Sequence, residues 1–151
     1  KPHPISMYTK ITTLILICFI AACTQAKQQA MENNPAHLHG TWKLISVFPD
    51  TVDVQKGSMD KRPDLVIDTA KKTIGGYSGC NSFGGAYIAT KDNIQIGELM
   101  ATERGCLESI ESRYFENLRK VNRYYLSQDS LKLYAKDTFL LTFVKEPAQT
   151  K

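Results

Sequence analysis

Histidine, tryptophan and cysteine are scarce in this sequence of 151 residues, at three, one and four respectively. A metal centre or a histidine-activated nucleophile needs several such side chains close together, so little is available to build either. Charge of one sign is also lacking. The formal net charge is +4, and it falls to about +2 once Lys1 and Lys10 are set aside, counting side chains alone. No basic run is interleaved with aromatics, which excludes a nucleic-acid groove of the usual kind. No apolar run approaches the roughly 20 residues of a membrane-spanning helix. The sequence also has no internal repeat and no low-complexity tract. What is present is an ordinary globular composition, 42% hydrophobic and 23% charged, long enough for one domain with a single core.

The N-terminal stretch has the three zones of an export signal. Met7-Tyr8-Thr9-Lys10 supplies a short positive region, residues 11–20 an apolar one, and Ile20-Ala21-Ala22-Cys23 a small-residue close. That last quartet resembles the bacterial lipobox, with Ile20 where Leu is commoner. The resemblance implies cleavage before Cys23 and lipidation of its thiol. Met7 is then the expected start. Residues 1–22 are expected to be a signal peptide, and 23–36 a lipidated cysteine with a flexible tether too polar to bury anything. A domain over 37–145 and a tail over 146–151 complete the expected organisation.

Within the body, Trp42, Leu44, Ser46 and Phe48 alternate with Lys43, Ile45 and Val47 as in a strand. Residues 50–63 read as a polar loop. Short strands are expected at 65–67, 73–79, 86–90 and 94–99, and again at 124–127, 131–135 and 139–144 with tight turns between. Residues 108–122 carry the helical stripe Ile110, Tyr114, Leu118 and Val121, widened by Phe115. Glu111, Arg113, Glu116, Asn117, Arg119 and Lys120 are assigned to its wet side. The expected class is α+β, mainly β. One amphipathic helix accompanies a small antiparallel sheet, curled or barrel-like so as to limit exposed edges.

Gly79-Cys80-Asn81-Ser82-Phe83-Gly84-Gly85-Ala86-Tyr87 resembles the signature of the HslJ-like META domain family. Gly40-Thr41-Trp42 resembles that family's opening, and Ile96-Gly97 the strand before its second cysteine. Thr102 and Cys106 match its T-x-x-x-C element, while Glu111, Tyr114, Phe115 and Leu118 match its helix. Leu131-Lys132-Leu133 and Leu140-Leu141 match its last hairpin. Arg104-Gly105 stands where the family commonly has Met-Ala. The resemblance covers about residues 38–144 and implies a cracked β-barrel with one helix, often in an envelope lipoprotein. It also implies a link to heat or envelope stress and to novobiocin tolerance, with no established catalysis. The family motif implied by the resemblance comprises Gly79, Cys80, Asn81, Phe83, Gly85, Tyr87 and Thr102. Read from the residues alone, 79–85 is a shaped turn between strands, its three glycines allowing positive φ or close strand approach. A phosphate-cradling loop would need a lysine and a following helix that are missing here.

With Cys18 in the signal and Cys23 lipidated, Cys80 and Cys106 remain as an even pair in an oxidising compartment. A disulfide between them would close a loop of about 25 residues and be worth roughly 3 kcal/mol; two buried free thiols are the alternative. No catalytic residue, metal site or cofactor is expected. His37 and His39 are the only bases for Cys80 after cleavage, and Glu98 and Glu103 lack carboxylate partners. Tyr77, Phe83, Tyr87, Tyr124, Tyr125 and Tyr134 fit core packing or a binding face. The expected function is a non-catalytic envelope lipoprotein, lipid-anchored in the outer membrane and facing the periplasm. Its expected partners are the membrane and an envelope protein rather than nucleic acid. The alternative is a lipocalin-like carrier of a small apolar ligand.

Overall fold

A computed structural model of the protein describes residues 33–49, 62–106 and 110–147. All of these belong to the second of two compact units, Met31–Lys151. The expected signal, Cys23, the tether as far as residue 32, most of the 50–63 loop, Glu108 and the tail from 148 lie outside the described residues.

Eight strands form one antiparallel sheet: β1 (Gly40–Val47), β2 (Asp64–Asp68), β3 (Thr73–Tyr77), β4 (Ser82–Ala89), β5 (Ile94–Ala101), β6 (Arg123–Ser127), β7 (Ser130–Ala135) and β8 (Thr138–Lys145). Among the described residues one α-helix, α1 (Glu111–Lys120), separates β5 from β6 in sequence. The spatial order is β5-β4-β3-β2-β1-β8-β7-β6, so two meanders are joined where β8 returns to β1. The sheet curls until its edges touch, with Asn93 of the β4–β5 turn bridging Arg123 of β6. Ile94 N–H donates to Asn122 O and Tyr124 N–H to Asp92 O, each at 3.2 Å. Bringing the edges together removes part of the unpaired backbone that an open sheet would expose.

Helix α1 packs against β8, β1 and β5, and the inside of the curl is filled by side chains. Trp42, Leu44, Leu65, Tyr114, Leu118 and Phe143 are all fully buried in one continuous cluster. Phe83 meets Tyr114 and Phe115 edge-on at 5.7 and 5.3 Å, and Tyr114 meets Phe143 at 6.3 Å. These are the favoured T-shaped geometries for aromatic pairs. The fold is therefore mainly β with one helix, as the alternation and the single helical stripe imply.

Four details differ from the sequence reading. In β1 the register against β8 shifts between Leu44 and Ser46. The extra residue reverses the inward phase, so Val47 is buried (1% exposed) and Phe48 is 46% exposed. On α1, Asn117 is 5% exposed rather than wet, because its amide donates to Phe48 O at 2.9 Å. Glu111 also turns inward, because its carboxylate accepts bonds from Asn81 of the β3–β4 turn. Finally, the turn ends at Asn81, and Ser82–Gly85 already belong to β4. Its glycines permit the close strand approach that is one of their two expected uses. A Cβ on Gly85 would lie 2.5 Å from Glu98 O and 2.9 Å from Leu99 Cδ2. Gly85→Ala is accordingly expected to destabilise the domain by about 1–3 kcal/mol, read as a lower urea midpoint.

The ordered body also starts ahead of residue 37. The Asn34 side chain accepts the Ala36 N–H and caps a 3-10 turn, Pro35–Leu38. The carbonyl of buried Leu38 accepts the Trp42 indole N–H at 2.8 Å. Asn33 and Asn34 are polar, as a tether would be, but each makes specific bonds that hold it in the fold.

Candidate functional site

The Gly79 motif lies where β3 turns into β4, beside the start of α1. Ser78 N–H donates to Asn81 O at 2.9 Å and closes the turn. Asn81 N–H lies 3.0 Å from Ser78 Oγ, and the Ser78 hydroxyl faces both Asn81 O and the Glu111 carboxylate. Glu111, in the first turn of α1, reaches back over the turn. Its Oε2 accepts the Ser78 hydroxyl and the Asn81 N–H, the latter at 2.9 Å. Its Oε1 accepts Asn81 Nδ2 at 2.9 Å.

Asn81 is the hub of this arrangement. Its Oδ1 accepts Thr102 Oγ1 at 2.9 Å and Arg104 N–H at 2.8 Å, while Nδ2 also donates to Arg104 O at 3.2 Å. A primary amide offers two donors and an acceptor with two lone pairs, and here all four are engaged. Cys80 and Cys106 are joined by a disulfide with Cα atoms 5.9 Å apart. Thr102, Arg104 and Cys106 follow β5 directly, so the chain leaving that strand is fastened twice to the β3–β4 turn.

The other motif residues serve packing. Phe83 and Tyr87 are buried, and Gly85 admits the β5 backbone. The Gly79 carbonyl accepts the Tyr77 hydroxyl at 3.0 Å. Tyr124 is buried as well, Tyr77 and Tyr134 are half-buried, and Tyr125 is exposed. His37 and His39 are exposed at the 3-10 turn, and Glu98 and Glu103 are exposed around the end of β5. Among the described residues no group of three or more His, Cys, Asp or Glu side chains could hold a metal.

A second polar centre was not visible in the sequence. Asp64 is 5% exposed. Its Oδ2 accepts Lys43 Nζ at 2.8 Å, its Oδ1 accepts Tyr77 N–H at 2.8 Å, and its carbonyl accepts the Tyr114 hydroxyl at 3.0 Å. Gly76, with φ +145°, makes room for it, because a Cβ there would lie 2.4 Å from Asp64 O. The adjacent Gly75-Gly76 pair was the available signal, since paired glycines mark close backbone approach. Lys43 is held above its ordinary value; burial opposes this, but its bond to Asp64 and the nearby Glu146 outweigh it.

Burial pushes the Tyr114 hydroxyl well above the ordinary tyrosine range, with Asp64 adding to it. Burial, then Asp92 and Tyr87, raise Tyr124 to about 12. Unfolded tyrosines ionise near 10, so above that pH the unfolded chain holds fewer protons than the folded one. Stability is fully present below pH 10 and falls as pH rises towards 12. Thermal midpoints measured across this range should drop, and Tyr124→Phe should flatten the drop.

The META domain model matches residues 35–148. Among solved structures, an NMR structure of a protein from Burkholderia xenovorans is 21% identical with a TM-score of 0.58, covering 76% of this chain and 89% of that one. A second NMR structure is 22% identical with a TM-score of 0.57, covering 74% and 94%. A crystal structure of a DUF4847 family protein from Bacteroides vulgatus is 15% identical with a TM-score of 0.55, covering 74% and 96%. These structures share the fold. None of the curated proteins matches the sequence. The family match spans most of the chain and includes the Asn81 turn, its Glu111 partner and the cysteine pair: the chain belongs to the META domain family.

Proposed function

We propose that this protein is a non-catalytic lipoprotein of the bacterial cell envelope, anchored through Cys23 to the outer membrane and facing the periplasm. Its META domain acts in heat or envelope stress, and in tolerance of novobiocin-type drugs, through contact with a protein or surface. The META domain is not a known enzyme family. The observation that carries the reading is the inward engagement of the motif's polar groups. Asn81 and the Glu111 carboxylate bond to the fold itself, and Cys80 is tied to Cys106. Such groups serve architecture, leaving no thiolate or poised base at the motif. The lipocalin-like alternative needs an open apolar interior, whereas the described interior is filled by Trp42, Tyr114, Phe143 and their neighbours.

Cys23→Ala is the direct test of the anchor. Intact mass of the membrane-extracted protein should show acyl chains that the variant lacks. The variant should also fail to restore novobiocin tolerance to a strain without the protein. An unacylated wild-type protein would contradict the reading. A small apolar molecule co-purifying at one per chain would favour the carrier instead.

A further inference from the structure

We propose that the outer face of β6 and β7, carrying Tyr125, Tyr134, Arg123, Lys132 and Lys136, lies against the anionic headgroups of the membrane that holds the anchor. This rests on acylation of Cys23, and it specifies the surface contact proposed above.

The register places these side chains together. Arg123 pairs with Tyr134 and Tyr125 with Lys132, so aromatic and basic residues alternate across the two strands. The intervening Tyr124, Leu126, Leu131 and Leu133 are buried, which turns the first set outward. Tyr125 is 44% exposed, and Tyr134 is steadied edge-on by Phe139 at 5.9 Å. Lys132 and Lys136 are exposed and have no ion pair among the described residues. Three acidic groups belong to this neighbourhood: Asp129 is exposed in the β6–β7 turn at the far end of the hairpin, and the other two have partners. Asp137 pairs with Arg123 at 3.3 Å in an exposed bridge, and Asp92 accepts the Asn33 amide at 3.1 Å. An exposed bridge is weak, so the Arg123 guanidinium can take a phosphate oxygen in its place. Tyrosine with Lys or Arg is the combination that settles at the headgroup level of a bilayer.

The chain itself points to the occupant. Asn33 lines the same depression of about 250 Å³, together with Arg123, Tyr125, Tyr134 and Lys136. It sits on the outer edge of β6, where its side chain donates to Tyr124 O at 3.2 Å and accepts the Leu126 N–H at 2.8 Å. Cys23 precedes it by ten residues. Ten residues span at most about 35 Å. A domain of about 100 residues has a radius of gyration near 13 Å. The face where the chain enters is therefore held close to the bilayer, while β2 lies four strands away across the curl.

The test uses the acylated protein in vesicles of phosphatidylcholine alone or with about 30% phosphatidylglycerol. A photo-crosslinking amino acid replaces Tyr125, Lys132 or the exposed Val66 of β2. Lipid adducts at 125 and 132 should exceed those at 66 by roughly fivefold in anionic vesicles, and Lys136→Glu should reduce them. Having two reporter positions protects against one that fails to fold. Equal adducts at all three positions, no dependence on phosphatidylglycerol, or adducts to protein alone in cells would overturn the proposal. Intact mass is read first: missing acyl chains sink the anchor reading, and the crosslink comparison with added vesicles then judges the face by itself.

Discussion

Replacing Asn81 with alanine is expected to lower the domain's stability by about 3 kcal/mol or more, seen as a lower urea midpoint with an unchanged slope. The change removes two donors and an acceptor from a nearly dry site, since Asn81 is 3% exposed. It also deprives three partners at once: Glu111 Oε1, Thr102 Oγ1 and the Arg104 backbone. The carboxylate is the costliest of these to leave short of donors, because bonds to charged groups are worth about twice neutral ones. Asn81→Asp separates shape from chemistry. It preserves volume but sets a second carboxylate against Glu111 at a contact of 2.9 Å. The destabilisation should match that of alanine at neutral pH.

Loss of the Cys80–Cys106 bridge, by reduction or by Cys80→Ala with Cys106→Ala, should cost about 3.5 kcal/mol in the chain-entropy account. The 26-residue separation sets that figure. Small domains have roughly 5–15 kcal/mol in all, so either change leaves the fold marginal at elevated temperature. Cys106 is exposed while Cys80 is 2% exposed, so a reductant has access from one side. Urea unfolding with and without reductant reads the effect. Because the bridge and Asn81 fasten the same stretch after β5, the two losses should not add in full.

Much of this architecture is legible in the sequence, because strands and helices with one dry face write their period into the chain. Alternation marks β6, β7 and β8 within a residue or two, and Tyr114, Phe115 and Leu118 mark the dry face of α1. Where the reading fails, a local event breaks the period. The bulge after Leu44 exchanges Val47 for Phe48, and one extra residue leaves no mark in composition. Asn117 and Glu111 have the polarity of a wet face, and their partners lie 69 and 30 residues away in sequence. Long-range bonds of that kind cannot be read from spacing. The motif was legible as a signature, but its physical content was not. Ser78 just before it and Glu111 at the head of α1 are what make Asn81 a hub.

The META signature fastens the β3–β4 turn to α1 and to the chain leaving β5. A double-mutant cycle between Asn81→Ala and Glu111→Ala, followed by urea unfolding, tests it most directly. Both single variants should be strongly destabilised, and the double variant should cost less than their sum, by about 1–3 kcal/mol of coupling. Single variants within about 0.5 kcal/mol of the wild type, as for ordinary surface substitutions, would contradict it.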